Sequence, residues 1–231
     1  MDERALRELE LLDVARLYGF EGSAAVIPNA AAVIPAQAGI QSHGASRASW
    51  DELRVLVAEC RACGLCRQRK QAVFGVGAET APWLFVGEGP GAEEDAQGDP
   101  FVGPAGKLLD AMLAAIGCER GREVYIANVV KCRPPGNRTP TAEEAAACAP
   151  FLERQVELVG PKIIVALGKA AASRLLGTEA SIASLRGKVH DYRGIPVVVT
   201  YHPAYLLRSL TEKAKAWEDL LFARRTLSLN P

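Results

Sequence analysis

The sequence predicts an α/β fold built on a mainly parallel sheet of four strands, with helices over both faces. Three observations carry this expectation. Four short runs, WLFVG (83–87), VYIANVV (124–130), KIIVALG (162–168) and PVVVTY (196–201), are almost continuously apolar, as strands buried on both faces must be. The stretches between them are helical in period and about ten residues or longer, which is what crossovers between parallel strands need. The chain has 231 residues and is 49% hydrophobic, enough for one sizeable core but hardly for two.

Taken in order, residues 1–19 space Leu6, Leu9, Leu12 and Val14 among charges at roughly helical period, an amphipathic helix. Residues 20–48 contain a doubled AAVIP, much Ala, Gly, Ser and Pro and almost no charge. They read as a flexible linker, and His43 within it as a solvated loop residue. The domain is expected over 49–231. Ser49 is placed to cap a helix carrying Leu53, Leu56 and Val57. Helices are then expected over 104–117, 141–160, 169–177 and about 211–227, with a further edge strand at 187–192 that holds His190.

Lys plus Arg and Asp plus Glu are both 27, so no global field draws the chain to nucleic acid or anionic lipid, and any DNA contact must be a local patch. The acidic N-terminus without an apolar core, and the absence of any 18-residue apolar run, predict a soluble cytoplasmic protein with no membrane partner. It is expected to be monomeric.

Six cysteines in a reducing compartment point to metal or redox chemistry rather than disulfides. Cys60, Cys63 and Cys66 stand two residues apart in ECRACGLCR, and Cys132 and Cys148 lie far downstream with 15 residues between them. Thiolates select Zn²⁺ or iron–sulfur clusters. The long gap between Cys63 and Cys132 favours a cluster that ties distant loops over a compact zinc ribbon, yet spacing alone leaves iron–sulfur, zinc and no metal all open. It also excludes none of the first three thiols. Cys118, closing an apolar helix, reads as an ordinary packed residue.

Ligands of parallel sheets sit beyond the carboxyl ends of the strands, which selects the loops GEGPGAEED (87–95), NVVKCRPPGNRTP (128–140), LGKAA (167–171) and YHPAYLL (201–207). The first alone is a weak phosphate-loop signal, lacking the Gly-Lys-Ser/Thr ending and the dinucleotide spacing. With PFVGPAG (100–106), and in this order on this strand pattern, the set becomes specific. Over roughly residues 52–228 the chain resembles the family 4, iron–sulfur uracil-DNA glycosylases.

The resemblance implies a three-layer α/β/α sandwich around a four-stranded sheet and a [4Fe-4S] cluster, with structural zinc as the alternative. It implies Cys60, Cys63, Cys132 and Cys148 as ligands and leaves Cys66 as a neighbour. It also implies base excision repair, the flipping of uracil from single- or double-stranded DNA and hydrolysis of its N-glycosidic bond.

Such chemistry needs a platform, an edge reader and a leaving-group donor. Phe101 is expected beneath the base. Asn128, with one amide donor and one acceptor, is matched to uracil and mismatched to cytosine. His202 is expected to donate to uracil O2 as negative charge develops there. Glu88 is the candidate for orienting water or stabilising the oxocarbenium sugar, although the better-known superfamily branch has an aspartate one position later, where this chain has Gly89. Gly89 is expected against the substrate, and Glu94 beside uracil C5, where a methyl would clash. DNA contacts are expected from Lys131, Arg133, Arg138, Arg186 and Arg208, with Lys188 near the last two, and from the backbone amides of Gly89, Gly91 and Ala204. Two other functions compete: a catalytically silent DNA-binding or polymerase-associated module, and a covalent uracil trap. The trap would carry a histidine in a basic loop after the second motif, and RPPGNRTP has none.

Overall fold

The computed structural model describes residues 42–229. The expected helix over 1–19 and most of the expected linker lie outside these residues. The described chain runs through α1 (Trp50–Glu59), β1 (Val76–Gly77), β2 (Trp83–Gly87), α2 (Ala92–Gln97), α3 (Pro104–Ala115), β3 (Val124–Asn128), α4 (Ala142–Val159), β4 (Ile163–Leu167), α5 (Lys169–Leu176), α6 (Ile182–Leu185), β5 (Val189–Tyr192), β6 (Ile195–Thr200), α7 (Pro203–Leu206) and α8 (Lys213–Leu229).

The four expected strands form the parallel centre of the sheet in the order β3-β2-β4-β6. The sheet has six strands rather than four, because β1 adds antiparallel to β3 and β5 antiparallel to β6. The β5 edge matches the expected strand. The two-residue β1 is too short to leave a periodic signal.

Alternate strand residues enter two different cores, as the twofold repeat of a strand requires. Leu84, Val86, Tyr125, Ile164, Val197 and their neighbours pack under α1, α4 and α5. Trp83, Phe85, Ile126, Val165 and Val198 pack under α3 and α8. This is a three-layer sandwich, and it explains why β2, β3 and β4 are buried at every position.

Local chemistry sets the helix ends. Ser49 and Glu52 close a capping box at α1, and Thr141 and Glu144 close another at α4, which ends at Gly160 in the left-handed conformation. The expected linker ends earlier than residue 48. Residues Ser42–Arg47 form a 3₁₀ helix, and Ala45 and Ala48 are buried in the first core. The second apolar run (124–130) also stops early as a strand, at Asn128. Val129 and Val130 instead donate to the carbonyls of Gly87 and Glu88, drawing the two rim loops together. No described helix is long and apolar enough to cross a membrane.

Candidate active site

The carboxyl ends of β2, β3 and β6 open onto a pocket of about 450 Å³ lined by Glu88, Gly89, Gly91, Glu94, Phe101, Asn128, Arg138, His202 and Arg208. Gly87 and Asn128 are register partners, so the first two loops leave the sheet side by side. A Cβ on Gly87 would lie 2.4 Å from Asn128 Oδ1 and 2.6 Å from Phe101 Cζ. Only glycine lets the amide and the ring close over the strand end. The Asn128 side chain is buried, and among the described residues its Oδ1 is the one buried side-chain polar atom without a hydrogen-bond partner. Such an orphan acceptor costs about 1–3 kcal/mol in the absence of a donor.

Phe101 holds a left-handed backbone conformation, φ 56°, which costs a non-glycine residue about 1–3 kcal/mol. Two neighbours hold it there. Arg120 donates from Nη1 to Pro100 O at 2.7 Å and from Nη2 to Phe101 O at 2.9 Å. Asp110 in turn accepts from Arg120 Nε and Nη2 at 3.0 and 2.8 Å. Gly106 lies so close that a Cβ would stand 1.8 Å from Phe101 O. The Phe101 ring then stacks on His202, with centroids 5.5 Å apart and planes inclined by 29°. Arg120 escaped the sequence reading because no local pattern connects it to a residue 19 positions earlier.

His202 caps α7 and accepts from Ala204 N–H at Nδ1, 3.1 Å. In the neutral ring this assigns the proton to Nε2. Burial, reinforced by the Arg208 charge and partly opposed by Glu94, brings its pKa down to about 4, so the imidazole is a neutral donor at pH 7. Glu94 lines the pocket, but its carboxylate accepts three backbone N–H groups, from Gly91 (3.1 Å), Val102 (3.0 Å) and Gly103 (3.2 Å). It is a fixed wall that ties two loops together. The Gly91 and Ala204 amides, expected on phosphate, are therefore already engaged within the protein.

The expected basic rim divides. Arg208 is exposed at the mouth of the pocket. Arg138 is exposed there too, paired through both Nη atoms with Glu144 at 2.8 and 2.7 Å. Arg133 lies half-buried outside the lining and donates to Asn137 Oδ1 at 2.7 Å, and Lys188 is exposed with its Nζ on Ser184 O. Lys131 does not face DNA. It is 1% exposed, and its Nζ donates to Asn128 O at 2.9 Å and to Gln155 Oε1 at 2.5 Å. Burial lowers its pKa to about 8. Arg186 is likewise turned inward, its Nε on buried Asp219 at 2.7 Å. Each forms internal bonds that a sequence pattern does not reveal. The two remaining described histidine and cysteine candidates lie apart from the pocket. His190 is buried with Nε2 at 2.8 Å from Leu185 O, and Cys118 packs against the second core.

Cys60, Cys63, Cys66, Cys132 and Cys148 all line one recess on the far side of Lys131. Three N–H donors point at three of the sulfurs: Arg69 Nη1 to Cys132 at 2.9 Å, Lys131 N to Cys148 at 3.3 Å and Ala62 N to Cys60 at 3.5 Å. Hydrogen bonds of this kind support thiolate ligands. Burial pushes the Cys132 and Cys63 thiols up and takes Cys148 to about 12, so filling the recess with metal must displace protons. As they stand, no three Cys, His, Asp or Glu side chains among the described residues are arranged to hold a single metal ion. The thiols border a space instead of closing on a point.

A mixed polar pocket at the strand ends of a parallel sheet, with an aromatic ring, one unsatisfied amide and a neutral imidazole inside and cations at its mouth, has the chemistry to take a flat, hydrogen-bonding ring carried by an anionic chain. A family model described as the uracil DNA glycosylase superfamily matches residues 74–221, more than half of the chain. The chain belongs to the uracil-DNA glycosylase superfamily.

Among its curated relatives is the type-4 uracil-DNA glycosylase of Thermotoga maritima, 48% identical over 171 residues that span 71% of this chain and 88% of the relative. The type-4 enzyme of Archaeoglobus fulgidus is 46% identical over 69% of this chain and 83% of its own length. That of Pyrobaculum aerophilum is 43% identical over 73% and 90%.

Proposed function

We propose that this protein removes uracil from DNA, cleaving the N-glycosidic bond and leaving an abasic site. The observation that carries the reading is the orphan Oδ1 of Asn128, buried beside the Phe101 ring. Uracil N3–H supplies the missing donor, and the amide Nδ2 donates to O4. Cytosine offers an acceptor at N3 and a donor at C4, and so mismatches both.

Extrusion brings the base out of the stack onto Phe101, with Glu94 as a fixed wall that excludes a C5 methyl. His202 donates from Nε2 to O2, where the departing base accumulates charge as the C1′–N1 electron pair leaves with it. A neutral donor suits this step because it needs no proton transfer to stabilise the anion. Water oriented by Glu88 bonds to C1′ and loses a proton, and the freed base takes one up. Arg138 and Arg208 serve the phosphates, with Arg133 behind them, which makes affinity salt-sensitive.

Cys60, Cys63, Cys132 and Cys148 fit a [4Fe-4S] cluster, with Cys66 beside it. When bound, the cluster supplies a covalent tie between the chain before β1 and the loop after β3. Lys131 bonds both to the Cys148 sulfur, through its N–H, and to Asn128 O. The tie therefore stiffens the segment that presents the edge reader.

Incubation with a uracil-containing oligonucleotide followed by alkali tests the reading. Strand breakage at uracil and not at cytosine is expected, and intact strands would refute it. Asn128→Asp removes the donor to O4 and sets a charge against an anionic leaving group. Uracil excision should fall on the order of 10- to 100-fold, with a smaller preference for uracil over cytosine. Unchanged selectivity would remove Asn128 from the edge-reading role. Arg120→Ala frees the Phe101 carbonyl and should lower kcat/KM about 10-fold. The melting temperature of Arg120→Ala, set beside that of Asp110→Asn, separates loss of the platform from loss of the fold.

A further inference from the structure

Arg186 is held inside the protein by several partners. Thr200 Oγ1, at the end of β6, donates to Asp219 Oδ2 at 2.7 Å, and the same oxygen accepts from Arg186 Nε at 2.7 Å. The guanidinium carbon lies 5.2 Å from the centroid of the Tyr201 ring. Tyr201 stacks in turn on Tyr205, with centroids 5.2 Å apart and planes at 28°. The result is a three-layer pile anchored to the sheet and ending in Tyr205, which is 39% exposed and lines the mouth of the pocket with Arg208. Stacked aromatics backed by a guanidinium form a rigid platform whose last face loses little entropy on binding a ring.

We propose that Tyr205 is a subsite for the nucleobase adjacent to the flipped uracil, with the Arg186–Tyr201 stack as its support. The proposal rests on the reading of the pocket as a uracil site. A nucleotide whose base enters the pocket leaves its neighbour on the strand at the mouth. Arg208 beside Tyr205 has the charge that the intervening phosphate requires. Every base has a π-face, so such a subsite strengthens binding without choosing sequence.

The test uses the full chain and single-stranded oligonucleotides centred on 2′-fluoro-deoxyuridine. The fluorine opposes oxocarbenium character, so binding is read without cleavage. Dissociation constants are measured by fluorescence anisotropy for three ligands: one fully based, one abasic on the 5′ side of the uracil, and one abasic on the 3′ side. For the wild type, removing the base on one side should weaken binding about 10-fold and on the other side little. Tyr205→Ala should bind the fully based ligand about 10-fold more weakly and lose nothing further when the flanking base is removed. Tyr205→Phe should match the wild type. Equal effects of the two abasic positions, or a Tyr205→Ala loss that persists without a flanking base, would overturn the subsite. Uracil release from the unfluorinated oligonucleotide is scored separately. Its absence would defeat the uracil reading, while the anisotropy data would still decide whether Tyr205 stacks on a base.

Discussion

Replacing His202 with alanine should lower kcat about 10²- to 10³-fold, the loss that follows removal of a preorganised donor to a developing anion, with KM much less affected. Phe101 and Asn128 would remain to hold the base. The imidazole meets the need in three ways that can be separated. Its Nδ1 is occupied by Ala204 N–H, so the tautomer is set. Its pKa near 4 keeps it neutral across the working range, and its ring is stacked on Phe101. The His202-dependent part of the rate should therefore be flat from pH 8 to 5 and change only as pH approaches 4, where protonation of Nδ1 destroys the contact to Ala204. Stability shifts with the same group. The unfolded chain protonates this histidine near 6.5 and the native state resists until about 4. The native protein thus loses stability as pH falls from about 6.5 towards 4. Thermal melts between pH 7 and 4 should show that slope, and His202→Ala should flatten it. A rate that rises and falls around pH 6.5 would show that the histidine is neither buried nor neutral as described.

Cys132→Ser should bleach the brown absorbance at about 400 nm and strip iron from the purified protein, as loss of an iron–sulfur ligand does. Because a metal tie contributes directly to folding free energy, the melting temperature should fall by about 10 °C or more, each kcal/mol being worth roughly 2–4 °C in a domain of this size. Cys66→Ser provides the contrast. Iron and colour should survive it, since Cys60, Cys63, Cys132 and Cys148 suffice for four ligands. Loss of iron on Cys66→Ser would exchange it for Cys60 or Cys63 in the ligand set. A colourless wild type with stoichiometric zinc would replace the cluster with the other soft-ligand metal. Cys132 stands four residues after Asn128 and beside Lys131, whose ammonium holds the Asn128 carbonyl. Excision should therefore weaken along with iron.

Much of the molecule is legible in the sequence alone. The runs at 83–87 and 163–168 are apolar without interruption, and burial on both faces is the one environment that tolerates this. Ser49, Thr141, Gly160 and Gly177 mark helix ends by local hydrogen bonding and backbone freedom, and the caps fall where those residues stand. The pocket residues were legible because Glu88, Asn128 and His202 each stand at or just beyond the end of a strand, and strands of one parallel sheet end on one rim.

Two of the expected rim cations, Lys131 and Arg186, turn inward instead, for the opposite reason. Lys131 and Arg186 look like Arg138 and Arg208 in sequence, since a positive charge beside a functional loop carries no record of its partner. Gln155, which receives Lys131, is 24 residues away, and Asp219, which receives Arg186, is 33 away. Phe101 shows the same limit in its backbone, for its left-handed turn depends on Arg120 and on the missing Cβ of Gly106.

The sequence by itself determined the layered α/β architecture, the rim on which the site lies and the residue types that meet there, because these follow from periodicity, capping and strand direction along short segments. The tertiary structure alone decided which cations are spent inside the protein, which amide oxygen is left without a donor, and which tyrosine ends a stack at the pocket mouth. Those outcomes depend on contacts between residues distant in the chain and on burial, which sets the energetic cost of every unpaired group.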